Sequence, residues 1–452
     1  MAADVAAPPG DPRWLARTSL LEALLARRSR RFGRGMSLAG PLAFESLAAP
    51  APLTLPEEAA LAFAANGVTG PLLAEMPYTV GAAEGGYGHI LMNFVGRTVG
   101  SADAVHTNVV FVTNDAGTWL LRRPQDYPRG EIPDLVAAGR RGELASLYER
   151  SRVQVADRRA EVARRPPDMP TFNQWTVNRP GTTYFLPVCD MSALFITVLL
   201  TLFGEAPGHF VVDERNRFQP AGVGRFARSR GGHLDDDPAS GGILPLGLLE
   251  TWLCELAAIE QGAIMQNLGL AAAALRLGGF QHFAAHPSAW LVALGFRMQD
   301  VPLSRIAAAG PVTRGLMRAL GKDIPVPTAT GLERGGEELL RPFCPPTYPD
   351  MEAAVLAYVD YKYAPGSGTY RDGGRATAWR DGAGMQAALP RYSDATIAAT
   401  IACCEYVYGR YGRFPATSGP YRTVMAFQAH RADDAFYAEH YRPGTVWPDA
   451  PE

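Results

Sequence analysis

The chain has 452 residues, 47% hydrophobic and 10% aromatic, and is therefore too long for one ordinary domain of about 100–200 residues. Its 43 basic and 45 acidic side chains leave a formal net charge of −2, which excludes the positive field typical of nucleic-acid or anionic-membrane binders. We therefore expect a small-molecule substrate. The five cysteines are scattered without CxxC spacing, which argues against a disulfide framework or structural zinc and favours the reducing cytoplasm.

Residues 1–17 carry prolines but no apolar run after a basic segment, which predicts a flexible leader rather than a secretory signal. A helix is predicted over Ser19–Arg31, where leucines form an apolar stripe and arginines cluster at the C-terminal end. A second helix is predicted between Thr54, which can cap it, and Gly67, which ends it.

The sequence of the middle of the chain predicts both strands and helices. Residues 105–123 contain two β-rich runs around an Asn-Asp-Ala-Gly turn, which indicates two antiparallel strands. An insertion is predicted over about 124–240. It begins with a charged helix over 143–165, continues with a strand over 182–190 and an apolar helix over 192–204, and ends in a glycine-rich lid.

The longest helical signal runs from Leu246 to Leu277, is apolar on nearly every side, and is predicted to end at Gly278 and Gly279. Residues 289–296 are predicted as a buried strand. The predicted organisation is one domain over 18–323, a proline-rich linker over 324–349, and a helical extension over 350–452.

The sequence Arg27-Arg28-Ser29-Arg30-Arg31 is the first candidate binding site. On a helix, residues three and four apart share a face, so Arg27 could converge with Arg30 or Arg31 on one anion. Guanidinium groups bind phosphate bidentately, and a serine hydroxyl can add a hydrogen bond. The alternative is a solvated charged face.

The Arg-Arg-Ser-x-Arg pattern resembles the first-helix motif of the nitroreductase-like FMN flavoenzymes, and is closest to their azoline-dehydrogenase-like branch. The resemblance implies that Arg27, Arg28, Ser29 and Arg31 hold the FMN phosphate and ribityl chain. Residues 96–106 are similar to the family's R-x-x-P-S-A-G-A segment, which implies flavin contacts from Arg97 and Ser101. Gly100 and Asp103 depart from that pattern.

Residues 261–279 resemble the family's glutamine-asparagine helix, which implies that Gln266, Asn267, Gly278 and Gly279 lie by the flavin, although Arg276 replaces a family glycine. In addition, Gly278 and Gly279 would let backbone amides reach a ligand. Residues 289–297 resemble the family's closing strand, after which a basic residue returns to the phosphate. Arg297 or Arg305 could be that residue.

Taken together, the resemblance implies an α+β fold with a nitroreductase-like core: a central, mostly antiparallel sheet flanked by helices, plus the helical C-terminal unit. It also implies a homodimeric, FMN-dependent oxidoreductase with NAD(P)H or oxygen as redox partner. We expect a small-molecule or peptide-derived substrate and a role in specialised-metabolite tailoring. His106 and Tyr87 are the candidate catalytic proton donors or acceptors, and His89 is a further candidate.

Two alternatives remain open. A non-catalytic scaffold or flavin carrier would explain the departures from the family pattern. A metal-dependent hydrolase would need a histidine site, for which the candidates are His282 with His286, or His233 with the neighbouring aspartates over 235–237.

Overall fold

The computed structural model describes residue 15 and residues 17–74, 93–283 and 287–447. Within these ranges the helices are α1 Leu20–Ala26, α2 Leu55–Asn66, α3 Ile132–Arg140, α4 Leu144–Ser151, α5 Met191–Leu202, α6 Leu246–Ala274, α7 Pro287–Ala293, α8 Leu303–Ile306, α9 Pro311–Ala319, α10 Met351–Tyr363, α11 Gly382–Ala388, α12 Asp394–Tyr411 and α13 Asp434–His440. The strands are β1 Ser37–Leu38, β2 Phe44–Glu45, β3 Val68–Pro71, β4 Val95–Arg97, β5 Asn108–Asn114, β6 Gly117–Leu121, β7 Arg152–Ala156, β8 Thr183–Asp190, β9 Phe210–Asp213, β10 Gln219–Pro220, β11 Ile243–Pro245, β12 Gly278–Phe283, β13 Met298–Pro302, β14 Pro325–Ala329, β15 Leu332–Arg334, β16 Glu337–Leu340, β17 Tyr421–Arg422 and β18 Met425–His430.

A seven-stranded sheet forms the centre of the described structure. Its strands follow the order β12-β18-β8-β5-β6-β7, with β17 also paired to β8, and every pairing is antiparallel. All eight residues of β8 are buried. The predicted α+β fold with a central antiparallel sheet flanked by helices is confirmed.

Both faces of this sheet are covered, which explains why its central strands are continuously apolar. On β5, Val110 and Val112 pack on one face with residues of α2 and α6. The alternate residues Val109 and Phe111 pack on the opposite face around Trp290 of α7. Successive side chains of a strand point to opposite faces, so one strand contributes to both cores.

Helix α2 follows its sequence signals closely. The Thr54 hydroxyl accepts from the Glu57 backbone N–H, and the Glu57 carboxylate accepts from the Thr54 backbone N–H at 2.6 Å, which together form a capping box. Gly67 is the C-cap, as predicted.

The segment predicted as a strand over 289–296 lies mainly in helix α7, so that prediction was wrong. Trp290, Leu291 and Leu294 are buried against the sheet. A short apolar run fits a buried helix as well as a buried strand, and periodicity alone does not separate them.

The strand pairing crosses the predicted boundaries between core, linker and extension. Strand β18, in the supposed helical extension, pairs with both β12 and β8. The supposed insertion supplies β8 and β7, and its predicted charged helix is helical only over α4 before it becomes β7. The supposed linker contains β14, β15 and β16. Strands β15 and β16 form a local hairpin, but β7, β8, β14 and β18 pair with more distant segments, which local composition does not reveal.

Helix α1 ends at Ala26, so the arginine-rich segment that follows is not helical as predicted. Arg30 instead bridges Gly279 at the edge of β12, and Gly33 bridges Ala432 just after β18. The segment therefore runs along the edge of the sheet. None of the described helices has the length and apolar character that a bilayer crossing requires.

Candidate functional site

An open pocket of about 350 Å³ lies where the arginine-rich segment, α6 and β12 meet. We call it the arginine pocket. Its lining residues are Arg27, Arg28, Ser29, Arg31, Phe172, Asn173, Met265, Gln266, Gly269, Gly279, Phe280, Gln281 and Phe427. The structure thus brings together two segments that the sequence placed far apart, the Arg-Arg-Ser-Arg-Arg run and the glutamine-asparagine helix.

Gly278 and Gly279 allow this close assembly. The Gly279 N–H donates to the Arg30 carbonyl at 3.1 Å. A Cβ on Gly279 would lie 2.7 Å from the ring of Phe427, and one on Gly278 would lie 2.6 Å from the His430 Nε2. The two glycines therefore begin β12 rather than end α6. The Gly279 amide is bonded to Arg30, and so it does not reach a ligand as predicted.

Arg30 is a structural residue rather than a pocket group. It is 2% exposed, its Nη2 donates to the Ala26 carbonyl at 2.9 Å, and its Nε donates to the Val446 carbonyl at 3.0 Å. The guanidinium lies 3.6 Å from the ring centre of Trp447. Burial lowers its pKa to about 10. Arg30 thus fixes the end of α1 to the C-terminal part of the described chain.

Arg31 forms part of the pocket wall. Its Nη2 donates to the Asn173 Oδ1 at 2.7 Å and to the Phe172 carbonyl at 3.0 Å, and its guanidinium lies 4.6 Å from the Phe280 ring centre. Burial lowers the pKa of Arg31. Its Nε is buried and has no hydrogen-bond partner within the described ranges. Two neutral oxygens and an aromatic ring therefore hold the Arg31 guanidinium in place, and its Nε–H makes no hydrogen bond with the described residues.

The charge of the arginine pocket is unbalanced. Arg27, Arg28 and Arg31 all line it, whereas its described lining contains no aspartate or glutamate. None of these three arginines forms an ion pair with another described residue. An uncompensated group of guanidiniums beside a serine hydroxyl is suited to a phosphate or another multivalent anion.

The two adjacent amides of α6 have different roles. Gln266 is exposed and lines the pocket. Asn267 does not line it, because its Nδ2 donates to the Thr98 carbonyl at 2.9 Å and the Ala64 carbonyl at 3.2 Å. Consecutive helical residues point about 100° apart, so one amide faces the pocket and the other ties α6 to its neighbours.

Arg97 and Ser101 do not line the arginine pocket in this chain. Arg97 is half-buried, donates from Nη1 to the Asn66 carbonyl at 2.8 Å, and has a pKa lowered to about 10 by burial. The Ser101 hydroxyl donates to the Glu260 carboxylate at 2.6 Å. Arg97 is instead bonded to the C-terminal end of α2, and Ser101 lies between α6 and the loop before β5.

His106 is buried and faces other cavities than the arginine pocket. Burial, assisted by the charge of Arg97, lowers its pKa to about 3, so the ring is neutral at pH 7. Tyr87 and His89 lie outside the described residues.

Neither predicted returning arginine reaches the arginine pocket. Arg297 forms ion pairs with Glu338 at 2.8 Å and Glu333 at 3.4 Å, on β16 and β15. The Arg305 Nη2 donates to the Gly409 carbonyl at 3.0 Å. Residues 287–293 form helix α7 where a closing strand was expected, and the structure does not bring either arginine to this pocket.

Sequence reasoning missed the groups that complete the pocket: Phe172, Asn173, Phe280 and Phe427. Phe172 and Asn173 were assigned to an insertion, and Phe427 to a separate extension. Phe280 and Phe427 lie within β12 and β18, whereas Phe172 and Asn173 lie in a turn that precedes β8. The pairing of β12 with β18 becomes visible only in three dimensions.

The candidate metal ligands do not assemble within the described ranges. His282 lies on β12, where its Nδ1 is 3.1 Å from the Gln428 Oε1 and its Nε2 is 3.2 Å from the Met169 sulfur. The His233 Nε2 lies 2.9 Å from the Phe203 carbonyl. His286 is outside the described residues. No group of three potential metal ligands occurs among the described residues.

No family model matches the chain, and no curated protein matches it. Among solved structures, a crystal structure described as a "putative nitroreductase" from Ralstonia eutropha JMP134 is similar to it. The two are 14% identical, the match covers 62% of this chain and 76% of that chain, and the TM-score is 0.29. So loose a superposition transfers no residue roles, and the fold assignment rests on the strands and helices themselves.

Proposed function

We propose that the arginine pocket binds flavin mononucleotide and that the protein is an FMN-dependent oxidoreductase. The observation that carries this proposal is the convergence of Arg27, Arg28, Ser29 and Arg31 with Gln266 in a pocket whose described lining has no carboxylate. A phosphate monoester carries about −1.5 to −2 charges at pH 7, which the three guanidiniums can neutralise.

The remaining lining also suits a flavin. The pocket volume of about 350 Å³ is at the lower end of the roughly 300–1,000 Å³ typical of ligand sites. Phe172, Phe280 and Phe427 provide apolar surface, and the amide of Gln281 can bind a polar ring edge. When bound, the flavin would supply the hydride and electron chemistry. The protein would neutralise its phosphate and orient it.

Substrate and partners belong to the same proposal. The sequence resemblance supports a small-molecule or peptide-derived substrate, NAD(P)H or oxygen as redox partner, a homodimer, and a role in specialised-metabolite tailoring. The described pocket lining contains no histidine, aspartate or glutamate. Hydride transfer to or from a flavin needs few protein acids or bases, so this lining is compatible with such a reaction.

The visible spectrum of purified protein, as isolated and after reconstitution with excess FMN, tests the proposal. We expect stoichiometric flavin bands that bleach on anaerobic addition of NADPH or dithionite and return with oxygen. Riboflavin, which lacks the phosphate, should bind more weakly than FMN. A folded protein that stays colourless after reconstitution would overturn the proposal.

A non-catalytic flavin carrier is the second candidate. The observation that favours it is that Arg97 and Ser101 are engaged elsewhere, so the pocket has fewer family-like contacts than the sequence implied. A carrier would bind FMN and bleach with dithionite, but it would show no turnover with NAD(P)H and any acceptor. Turnover with NADPH and a quinone or nitroaromatic acceptor would exclude the carrier.

A further inference from the structure

A second cavity, of about 330 Å³, lies at the opposite end of the central strands. We call it the Asp190 cavity, because Asp190 ends β8 there and pairs with Tyr421 of β17. The arginine pocket adjoins Gly279, which pairs with Ala429, and Ala429 pairs with Thr183 at the start of β8. The seven residue steps of β8 span about 23 Å at ~3.3 Å per residue, so the two sites are separate.

The other charged side chains that line the Asp190 cavity form ion pairs with one another, and Asp190 does not. Arg123 binds Asp126 in a bidentate pair, with distances of 3.0 Å and 3.1 Å. Arg341 pairs with Glu338 at 3.0 Å. Asp190 forms no ion pair with any described residue, and burial raises its pKa. Asp190 therefore has no direct ion-pair partner among the described residues, although the charge of Arg123 offsets part of the effect of burial.

Asp190 is also only half satisfied in its hydrogen bonds. It is the N-cap of α5, and its Oδ1 accepts from the Ser192 hydroxyl at 2.6 Å and the Ala193 N–H at 3.0 Å. Its Oδ2 has no hydrogen bond within the part of the chain that the structure describes. One oxygen thus fixes the helix, while the other is available to a ligand.

Two further buried groups that line this cavity lack partners. Tyr421 is 3% exposed and its hydroxyl has no hydrogen bond among the described residues. His106 is 5% exposed, and its Nδ1 likewise has none. Buried polar groups are nearly always hydrogen-bonded in native proteins, so unpaired groups in a cavity wall indicate that something else satisfies them.

One wall of the cavity is aromatic. Phe343 stacks on Tyr348 at 5.8 Å and contacts Tyr358 edge-on at 5.0 Å, and Tyr358 lies 5.8 Å from Tyr361. All four rings line the cavity. Aromatic faces attract organic cations, most strongly where water is excluded.

We propose that the Asp190 cavity binds a small primary amine with an aromatic or apolar body. Its ammonium group pairs with Asp190 Oδ2 and donates to the Tyr421 hydroxyl, while its body packs on the aromatic wall. The neighbouring pairs Arg123–Asp126 and Arg341–Glu338 neutralise themselves and leave Asp190 to select the cation. This inference does not depend on flavin binding in the arginine pocket.

Three matched probes test it: benzylamine, benzyl alcohol and benzoate, which share a ring and differ in charge. Their affinities for the full chain at pH 7 can be measured by ligand-observed NMR or calorimetry. We expect benzylamine to bind about ten-fold more tightly than benzyl alcohol, since hydrogen bonds to charged groups are the stronger ones, and benzoate not to bind. Equal binding of benzylamine and benzyl alcohol, or preference for benzoate, would overturn the proposal.

The substitution Asp190→Asn locates the effect, because asparagine keeps the N-cap acceptor but removes the charge. It should weaken benzylamine about ten-fold or more and leave benzyl alcohol and FMN binding unchanged. Asp350→Asn is the control, since Asp350 caps α10 in the same way and is exposed. A folded Asp190→Asn protein with unchanged benzylamine affinity refutes the assignment. If that variant does not fold, the three-probe comparison on the unmodified chain decides.

Discussion

Replacing Arg27 by methionine should weaken phosphate binding without changing the stability of the fold. The Arg27 side chain is exposed and forms no hydrogen bond or ion pair with the described residues. Surface substitutions of this kind change the free energy of unfolding by about 0.5 kcal/mol or less. Losing one hydrogen bond to a charged group costs about 1.5 kcal/mol at the low end, which is roughly a ten-fold loss of affinity.

Arg31→Met should differ from Arg27→Met in a measurable way. Arg31 also bonds Asn173 and the Phe172 carbonyl and lies over the Phe280 ring. Its loss should weaken phosphate binding about ten-fold to a hundred-fold, because the cation is partly buried and preorganised. It should also lower the free energy of unfolding by about 1 kcal/mol, since the cation–π contact and the Asn173 bond are lost.

The assay is a fluorescence titration of each variant with FMN and with riboflavin. The two ligands differ only in the phosphate, so the ratio of their affinities measures the contribution of the phosphate to binding. Arg34→Met is the matched control, as Arg34 is an exposed arginine of the same segment that does not line the pocket. We expect the FMN-to-riboflavin ratio to fall in both test variants, and the effect to shrink at 1 M salt. Equal losses for both ligands, or an equal loss in the control, would refute the role of the arginines.

Two further predictions concern the sheet beneath the pocket. Gly279→Ala should destabilise the fold by about 1–3 kcal/mol, because the added Cβ would lie 2.7 Å from the Phe427 ring. Gly310→Ala is the control and should not destabilise the fold, since the space around Gly310 is open. Equal melting temperatures for the two variants would contradict the prediction. Burial lowers the pKa values of His282 and His430 from the usual 6.5 or so to about 4. As the pH falls from about 6.5 to 4, the unfolded chain therefore takes up protons before the folded one. The free energy of unfolding should therefore fall with decreasing pH across this window, by up to about 1.4 kcal/mol per unit for each histidine. Urea unfolding at several pH values measures it, and a His430→Gln variant with an unreduced slope would contradict it.

Much of the pocket's chemistry was predictable from short sequence patterns. Residue types and spacing suggested that Arg27 could meet Arg30 or Arg31 on one anion. The family resemblance implied the set Arg27, Arg28, Ser29 and Arg31, and all four line one pocket with Gln266. The helical face proposed to unite them is absent, because α1 ends before them. The residue types therefore indicated which side chains would line the pocket. The conformation of their backbone depends instead on the β-bridge between Arg30 and Gly279.

The assignments that failed all required knowledge of distant partners. Arg297 was placed at the phosphate, but it faces the glutamates of β15 and β16. Arg97 and Ser101 were placed with Arg27, but contacts with Asn66 and Glu260 hold them elsewhere. Each of these partners lies tens of residues or more away along the chain, so spacing alone did not predict the contacts.

The sequence by itself determined the features that depend on near neighbours. The capping box between Thr54 and Glu57, the turn between β5 and β6, the long helix α6 and the excess of arginine after α1 all involve residues a few positions apart. Only the tertiary structure decided that β18 enters the sheet between β12 and β8, and that two cavities lie at opposite ends of the central strands. Strand pairing and cavity shape depend on which distant surfaces exclude water together, and no local pattern encodes that choice.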